Sequence, residues 1–185
     1  MAHEQTRLYY EKLKEIVTPI IRNNKRRSFM EDQIIDDGFE VLEIGLDVGI
    51  SARCFLEFPQ IHLTSVDSGD VSGGVKHIEE WGWNNRWTFK HVKSDFFFLT
   101  NDKKFDIIFI DGDHSYEQTK KDIYGSWNCL EEGGLLVGHD YLHKGNFTEN
   151  PDYGVHQAFR EFLVDVNLPA TIYPPNPGII AIKKP

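Results

Sequence analysis

Two segments constrain the fold of this chain more than any others: residues 41–51, VLEIGLDVGIS, and residues 109–117, FIDGDHSYE. In each, a short apolar run stops at a carboxylate or a glycine. A buried parallel strand does this where it reaches the ligand crevice of an open α/β sheet. The expectation is that both segments end at one sheet edge, that they form a pocket there, and that function lies at those strand ends.

The rest of the sequence supplies the alternation such a sheet needs. Apolar runs at 41–44, 62–66, 88–92, 105–110, 135–137, 171–173 and 178–182 predict seven strands. Helical patterns at 51–58, 73–81, 115–129 and 153–166 lie between them, so the strands should be mostly parallel. Ser115 and Gln118 have the spacing of a capping box, and Gly133 and Gly134 break the chain before the fifth strand. The last two strands are joined by a proline-rich link too short for a helical crossover, so they must pair antiparallel. Ahead of the sheet, Leu8, Tyr9, Leu13, Ile16, Val17, Ile20 and Ile21 recur at helical spacing, which predicts a flanking amphipathic helix. The fold class is α/β, a doubly wound and mostly parallel seven-stranded sheet with a C-terminal antiparallel hairpin. Residues 1–40 form an N-terminal helix and basic linker of the same domain, and 41–185 its main body.

Charge narrows the partners. A formal net charge of -9 over 185 residues argues against a nucleic acid or an anionic membrane surface, because phosphate binding needs a basic face. Arg22, Lys25, Arg26 and Arg27 are a local exception, read either as a solvated helix end or as a lid over an anionic substrate. Cys54 and Cys129 are far apart with no CxxC spacing, and Glu4, Arg7, Glu11 and Lys12 interrupt any leader-like apolar stretch. Free thiols and a cytoplasmic location are expected. No apolar run approaches the roughly 20 residues that span a bilayer.

With IDGDHSY at 110–116 and GHDY at 138–141, the chain resembles class I S-adenosylmethionine-dependent methyltransferases, in particular the small O-methyltransferase-like branch. The resemblance runs from Val41 to the C-terminus. It implies that Glu43, Gly45, Asp47, Gly49 and Ser51 hold the methionine end of the cofactor, with Asp47 standing where many members have a glycine. It also implies that Asp67 and Ser68 meet the ribose and that Asp95 and Phe96 meet adenine. Asp111 reaches the cofactor from the fourth strand end.

For chemistry, the resemblance places Asp111, His139 and Asp140 on adjacent strand termini, as in metal-dependent relatives. There a divalent cation, magnesium or manganese, would acidify an acceptor hydroxyl. Metal-free catalysis with His114 or His139 as general base stays open, as does a merely helix-capping role for Asp113 and His114. The implied activity is methylation of a hydroxyl on a small molecule or sugar, and family members are often homodimers. Two rival readings are a catalytically silent methyltransferase fold that binds cofactor or a partner, and a nicotinamide-dependent oxidoreductase. The second lacks its glycine spacing here.

Overall fold

The computed structural model describes residues 2–23, 27–30, 33–36, 38–148, 150 and 152–185. Helix α1 (Ala2–Asn23) leads into a two-stranded antiparallel hairpin, β1 (Arg27–Met30) and β2 (Gln33–Asp36), inside what the sequence reads as a linker. Of the basic cluster, Lys25 and Arg26 lie outside the described residues.

The sheet follows: β3 (Phe39–Ile44), α2 (Ile50–Leu56), β4 (Ile61–Asp67), α3 (Ser72–Glu80), β5 (Trp87–His91), α4 (Ser94–Thr100) and β6 (Phe105–Ile110). Then come α5 (Tyr116–Cys129), β7 (Leu130–Gly138), α6 (Val155–Val166), β8 (Thr171–Tyr173) and β9 (Ile179–Lys183). The strand order is β5-β4-β3-β6-β7-β9-β8. The five strands from β5 to β7 pair in parallel, while β9 pairs antiparallel with both β7 and β8. Winding reverses between β3 and β6, so the crevice beyond their carboxyl ends is the switch point at which such sheets bind ligands.

Period-2 alternation explains the three layers. Val41, Ile107, Phe109 and Val137 face one side and pack with Leu13, Ile16 and Val17 of α1, Phe55 of α2 and Ile78 of α3. Leu42, Ile44, Ile108, Ile110 and Leu136 face the other and meet Phe97 of α4, Ile123 of α5 and Phe159 and Phe162 of α6. All six residues of β6 are buried, the apolar ones as a strand covered on both faces requires, and Asp106 with its Oδ2 accepting from the Glu40 amide at 3.0 Å.

Three local expectations are corrected. Ser115 makes no side-chain cap to α5; instead Asp113 Oδ1 accepts from the Ser115 amide at 2.8 Å, and Gln118 turns toward α4. The two glycines lie within β7, where its register to β6 is irregular, rather than ending the chain before it. Finally, 94–100 is a helix, which the Phe96-Phe97-Phe98 run did not suggest. Among the described residues no helix is long and apolar enough to cross a membrane.

Candidate active site

Backbone hydrogen bonds carry the sheet ladder one residue past its strands. The Gly45 amide donates to Val66 O (2.9 Å), the Asp111 amide to Ile44 O (2.8 Å) and the His139 amide to Ile110 O (3.0 Å). Gly45, Asp111 and His139 therefore stand side by side at the sheet edge. Gly45 has φ 94°, and a Cβ there would lie 2.1 Å from the Asp111 carbonyl oxygen, so only glycine lets the two strand exits approach. Asp47 takes the left-handed conformation, φ 45°, that the turn demands and that aspartate tolerates. Gly49 precedes α2 at φ 83°.

The turn is tied down by Asp67. Its Oδ2 accepts from the Leu46 amide (2.8 Å) and the Asp47 amide (3.4 Å), and its Oδ1 from the Gly69 amide (2.8 Å). Beside it opens a cavity of 540 Å³. Gly45, Asp47, Asp67 and Ser68 line one wall, Asp111 to His114 another, and Lys93, Ser94, Gln118 and Asp122 a third.

Not every expected residue reaches this cavity. Glu43 is fully buried beneath it, accepting from the Ser51 hydroxyl and from the Ser65 hydroxyl (2.6 Å). Burial pushes its carboxyl up to about 8 despite those two donors. Asp95 is bound by Gln118 Nε2 (2.8 Å) and Lys121 Nζ (3.2 Å), and the Gln118 bond foremost holds it below the usual carboxylate range. Phe96 is 58% exposed. Neither Asp95 nor Phe96 is among the lining residues, whereas Ser94, Gln118 and Asp122 are. Asp122 accepts from Ser94 Oγ (2.6 Å) and Gln118 Nε2 (3.0 Å), and burial pushes it up to about 6. Gln118 carried a sequence signal that was read as a cap; a buried acid in mid-helix such as Asp122 carries none.

Four titratable side chains meet where β6 and β7 end. His139 Nδ1 lies 3.1 Å from Asp111 Oδ1 and 3.3 Å from Asp140 Oδ2. His114 Nε2 lies 2.7 Å from Asp140 Oδ2 and 3.6 Å from Asp111 Oδ1. Burial alone would lower His139, but the two carboxylates outweigh it and hold the imidazole at about 10. Contacts with Asp111 and Asp140 raise His114 to about 9. Burial opposes both carboxylates, yet the imidazoles keep Asp111 and Asp140 below their usual range. Asp140 takes φ 56°, a left-handed conformation that aims its carboxylate into the cluster. The His114 ring stacks on Tyr153 (5.4 Å), which stacks on His143 (4.3 Å), so the 143–151 loop, of which residues 149 and 151 lie outside the described residues, begins over the cluster. Tyr141 is buried against Phe159 in the core.

Residues 42–141, more than half the chain, match the model of a family described as a methyltransferase domain. The chain belongs to that family. No curated protein matches the methyltransferase by sequence. Among solved structures it is similar to a candidate caffeoyl-CoA O-methyltransferase from Staphylococcus aureus, with a TM-score of 0.75 at 17% identity over 96% of this chain and 83% of that one. It is also similar to an O-methyltransferase from Bacillus cereus in complex with SAH (TM-score 0.62, 17% identity, 95% and 90% covered). A third is an SAH-bound methyltransferase from Podospora anserina (0.66, 14%, 100% and 95%). At these identities the likeness shows the fold, the class I methyltransferase fold with its closing antiparallel strands.

The donor set of the methyltransferase at this edge fits a divalent cation. Ligand atoms of Asp111, His139 and Asp140 lie within 4.8 Å of one another. Their 3.1 and 3.3 Å separations are near the roughly 3 Å that separates neighbouring ligands around an octahedral ion with bonds of about 2.1 Å. Two carboxylates and an imidazole suit magnesium, manganese or a related ion.

Proposed function

We infer that the protein is an S-adenosylmethionine-dependent methyltransferase that methylates a hydroxyl of a small molecule, with a divalent cation held by Asp111, His139 and Asp140. The observation that carries this reading is the shared wall: Asp111 and His114 line the 540 Å³ cavity and also belong to the carboxylate–imidazole cluster. A cofactor in the cavity therefore sits beside the groups able to prepare an acceptor.

Bound S-adenosylmethionine supplies an electrophilic methyl group, and a bound cation lowers the pKa of a hydroxyl it coordinates. The chain supplies alignment. Gly45 and Asp47 leave the backbone bare at the methionine end, while Asp67 and Ser68 face the ribose. Ser94 and Gln118 take the adenine side that the sequence assigned to Asp95 and Phe96, and Asp111 bridges cofactor and cluster. Glu43 and Ser51 act from below, fixing the start of α2 against β3. His114, ion-paired to Asp140, orients that carboxylate. His139 Nδ1 could serve as a ligand only after giving up its proton, so affinity for an ion held there would rise with pH. The crystallised relatives that hold SAH support the cofactor, and unlinked, buried Cys54 and Cys129 support a cytoplasmic setting.

The test is transfer of a labelled methyl group from S-adenosylmethionine to a panel of small hydroxylated compounds, with magnesium, manganese or EDTA present. Label appearing in an acceptor, and disappearing with EDTA, supports the reading. Undiminished transfer in EDTA removes the cation.

A further inference from the structure

Asp140 is the pivot of the cluster, and its left-handed backbone decides where its carboxylate points. Aspartate tolerates that conformation without preferring it, so neighbouring groups must hold it there. Its carbonyl oxygen shows which groups do so. Two donors converge on it, the His143 amide at 3.0 Å and Asn146 Nδ2 at 2.7 Å.

The His143 bond closes an ordinary turn, whereas the Asn146 bond ties that turn to a distant element. Asn146 Nδ2 also donates to His143 O (3.0 Å), and its Oδ1 accepts from the His156 amide (3.2 Å) in the first turn of α6. Donors and acceptor of the amide are therefore all engaged, which leaves it little freedom. His156 is anchored in turn. Its Nδ1 lies 3.2 Å from Tyr141 O, and its ring packs on the buried Tyr141 ring with centroids 4.6 Å apart. A helix seated in the core thus reaches Asp140 through one side chain.

The same side chain bears on His114. By fixing His143 O it holds the residue whose ring stacks on Tyr153, and Tyr153 stacks on His114. Gly145 permits this approach, because a Cβ there would lie 2.7 Å from the Tyr153 ring. His139 is supported differently, by the Tyr9 ring of α1 with centroids 4.5 Å apart, and Asp111 by its strand exit. Asp140 and His114 are the members of the cluster that the loop places.

We propose that Asn146 is a positioning residue for the cation site: its amide clamps the Asp140 carbonyl, keeps that residue left-handed, and so aims the Asp140 carboxylate toward Asp111 and His139. The proposal rests on the cation reading and deepens it, since the geometry of one ligand is assigned to a side chain outside both the cofactor cavity and the cluster. Partners that orient metal ligands in this way set affinity by roughly 10–100-fold.

The experiment titrates the full chain, saturated with SAH, with manganese and reads the free ion by its electron paramagnetic resonance signal. Asn146→Leu keeps the approximate shape of the side chain and removes all its hydrogen bonds, so it should hold manganese roughly tenfold more weakly. Asn146→Ala should show the same loss, and both should bind SAH as the wild type does by calorimetry. Thr148→Val is the control for loop order. It breaks the Thr148 Oγ1 bond to Gly145 O (2.9 Å), which closes the loop without touching Asp140, and should bind manganese as the wild type does. A purely structural amide would lower the Tm of the Asn146 variants and leave the manganese affinity of the folded protein unmoved. Equal manganese binding by Asn146→Leu and wild type, an equal loss in Thr148→Val, or a matching loss of SAH affinity in the Asn146 variants would overturn the proposal alone. A wild-type protein that binds SAH but no manganese would overturn the cation reading, and the proposal with it.

Discussion

His114 Nε2 stands 2.7 Å from Asp140 Oδ2, a contact that ties the loop after β6 to the end of β7 across the sheet edge. The same oxygen lies 3.3 Å from His139 Nδ1, so one carboxylate organises both imidazoles. It does so from a left-handed backbone, φ 56°, which asparagine accepts and alanine does not readily adopt.

Asp140→Asn and Asp140→Ala should therefore share one defect and differ in another. Both should lose cation-stimulated methyl transfer by a factor on the order of 100 or more while SAH affinity holds. Only the alanine variant should carry an added backbone cost of about 1 kcal/mol, visible as a lower Tm. Full activity in Asp140→Asn would remove the carboxylate from the cation site.

Asp67→Ala should weaken SAH and also loosen the turn above it, because the Leu46, Asp47 and Gly69 amides all lose their acceptor. Orphaned donors cost roughly 1–3 kcal/mol each when buried, less where water reaches them as at Asp47 and Gly69. Calorimetry with SAH and a urea melt should both show the change. An unchanged dissociation constant would remove Asp67 from the cofactor site.

Gly45→Ala should be strongly destabilising, by about 3 kcal/mol or more, since its methyl group meets the Asp111 carbonyl and its φ is positive. Gly73→Ala provides the contrast. It lies in α3, where an added methyl group would meet nothing within 4 Å, and helix propensity predicts a gain of up to about 1 kcal/mol. Chemical denaturation of the two variants checks both signs.

Glu43 gives a pH prediction. Its carboxyl is raised from 4.5 to about 8 in the fold, so the folded state binds this proton more tightly than the unfolded state does. The stabilisation is fully present below about pH 4.5 and is lost as pH rises toward 8. Glu43→Gln cannot titrate, so subtracting its Tm-against-pH curve from the wild-type curve should leave a decline confined to that window. A flat difference would mean that Glu43 is ionised throughout.

The sheet was legible because strand burial writes itself into sequence: the mostly apolar FDIIFI of β6 and the short link before β9 allow few alternatives. Helix α4 was not, because Phe96, Phe97 and Phe98 divide between solvent and core in a seven-residue segment too short to show a period. Within the site, residues fixed by strand exits, such as Gly45, Asp111 and His139, could be placed from their motifs. Those brought in by packing of distant elements could not. Tyr9 arrives from α1, and Gln118 and Asp122 reach the cavity because α5 lies against α4, relationships that no local spacing encodes.

Whether the crevice is a cofactor site coupled to a cation is decided by calorimetric titration of the protein with SAH, repeated with magnesium, with manganese and with EDTA. Saturable one-to-one binding in the 540 Å³ cavity is expected under every condition, together with a change in affinity or enthalpy when the cation is present. Absence of saturable binding under all four conditions would contradict the assignment of the cavity to the cofactor.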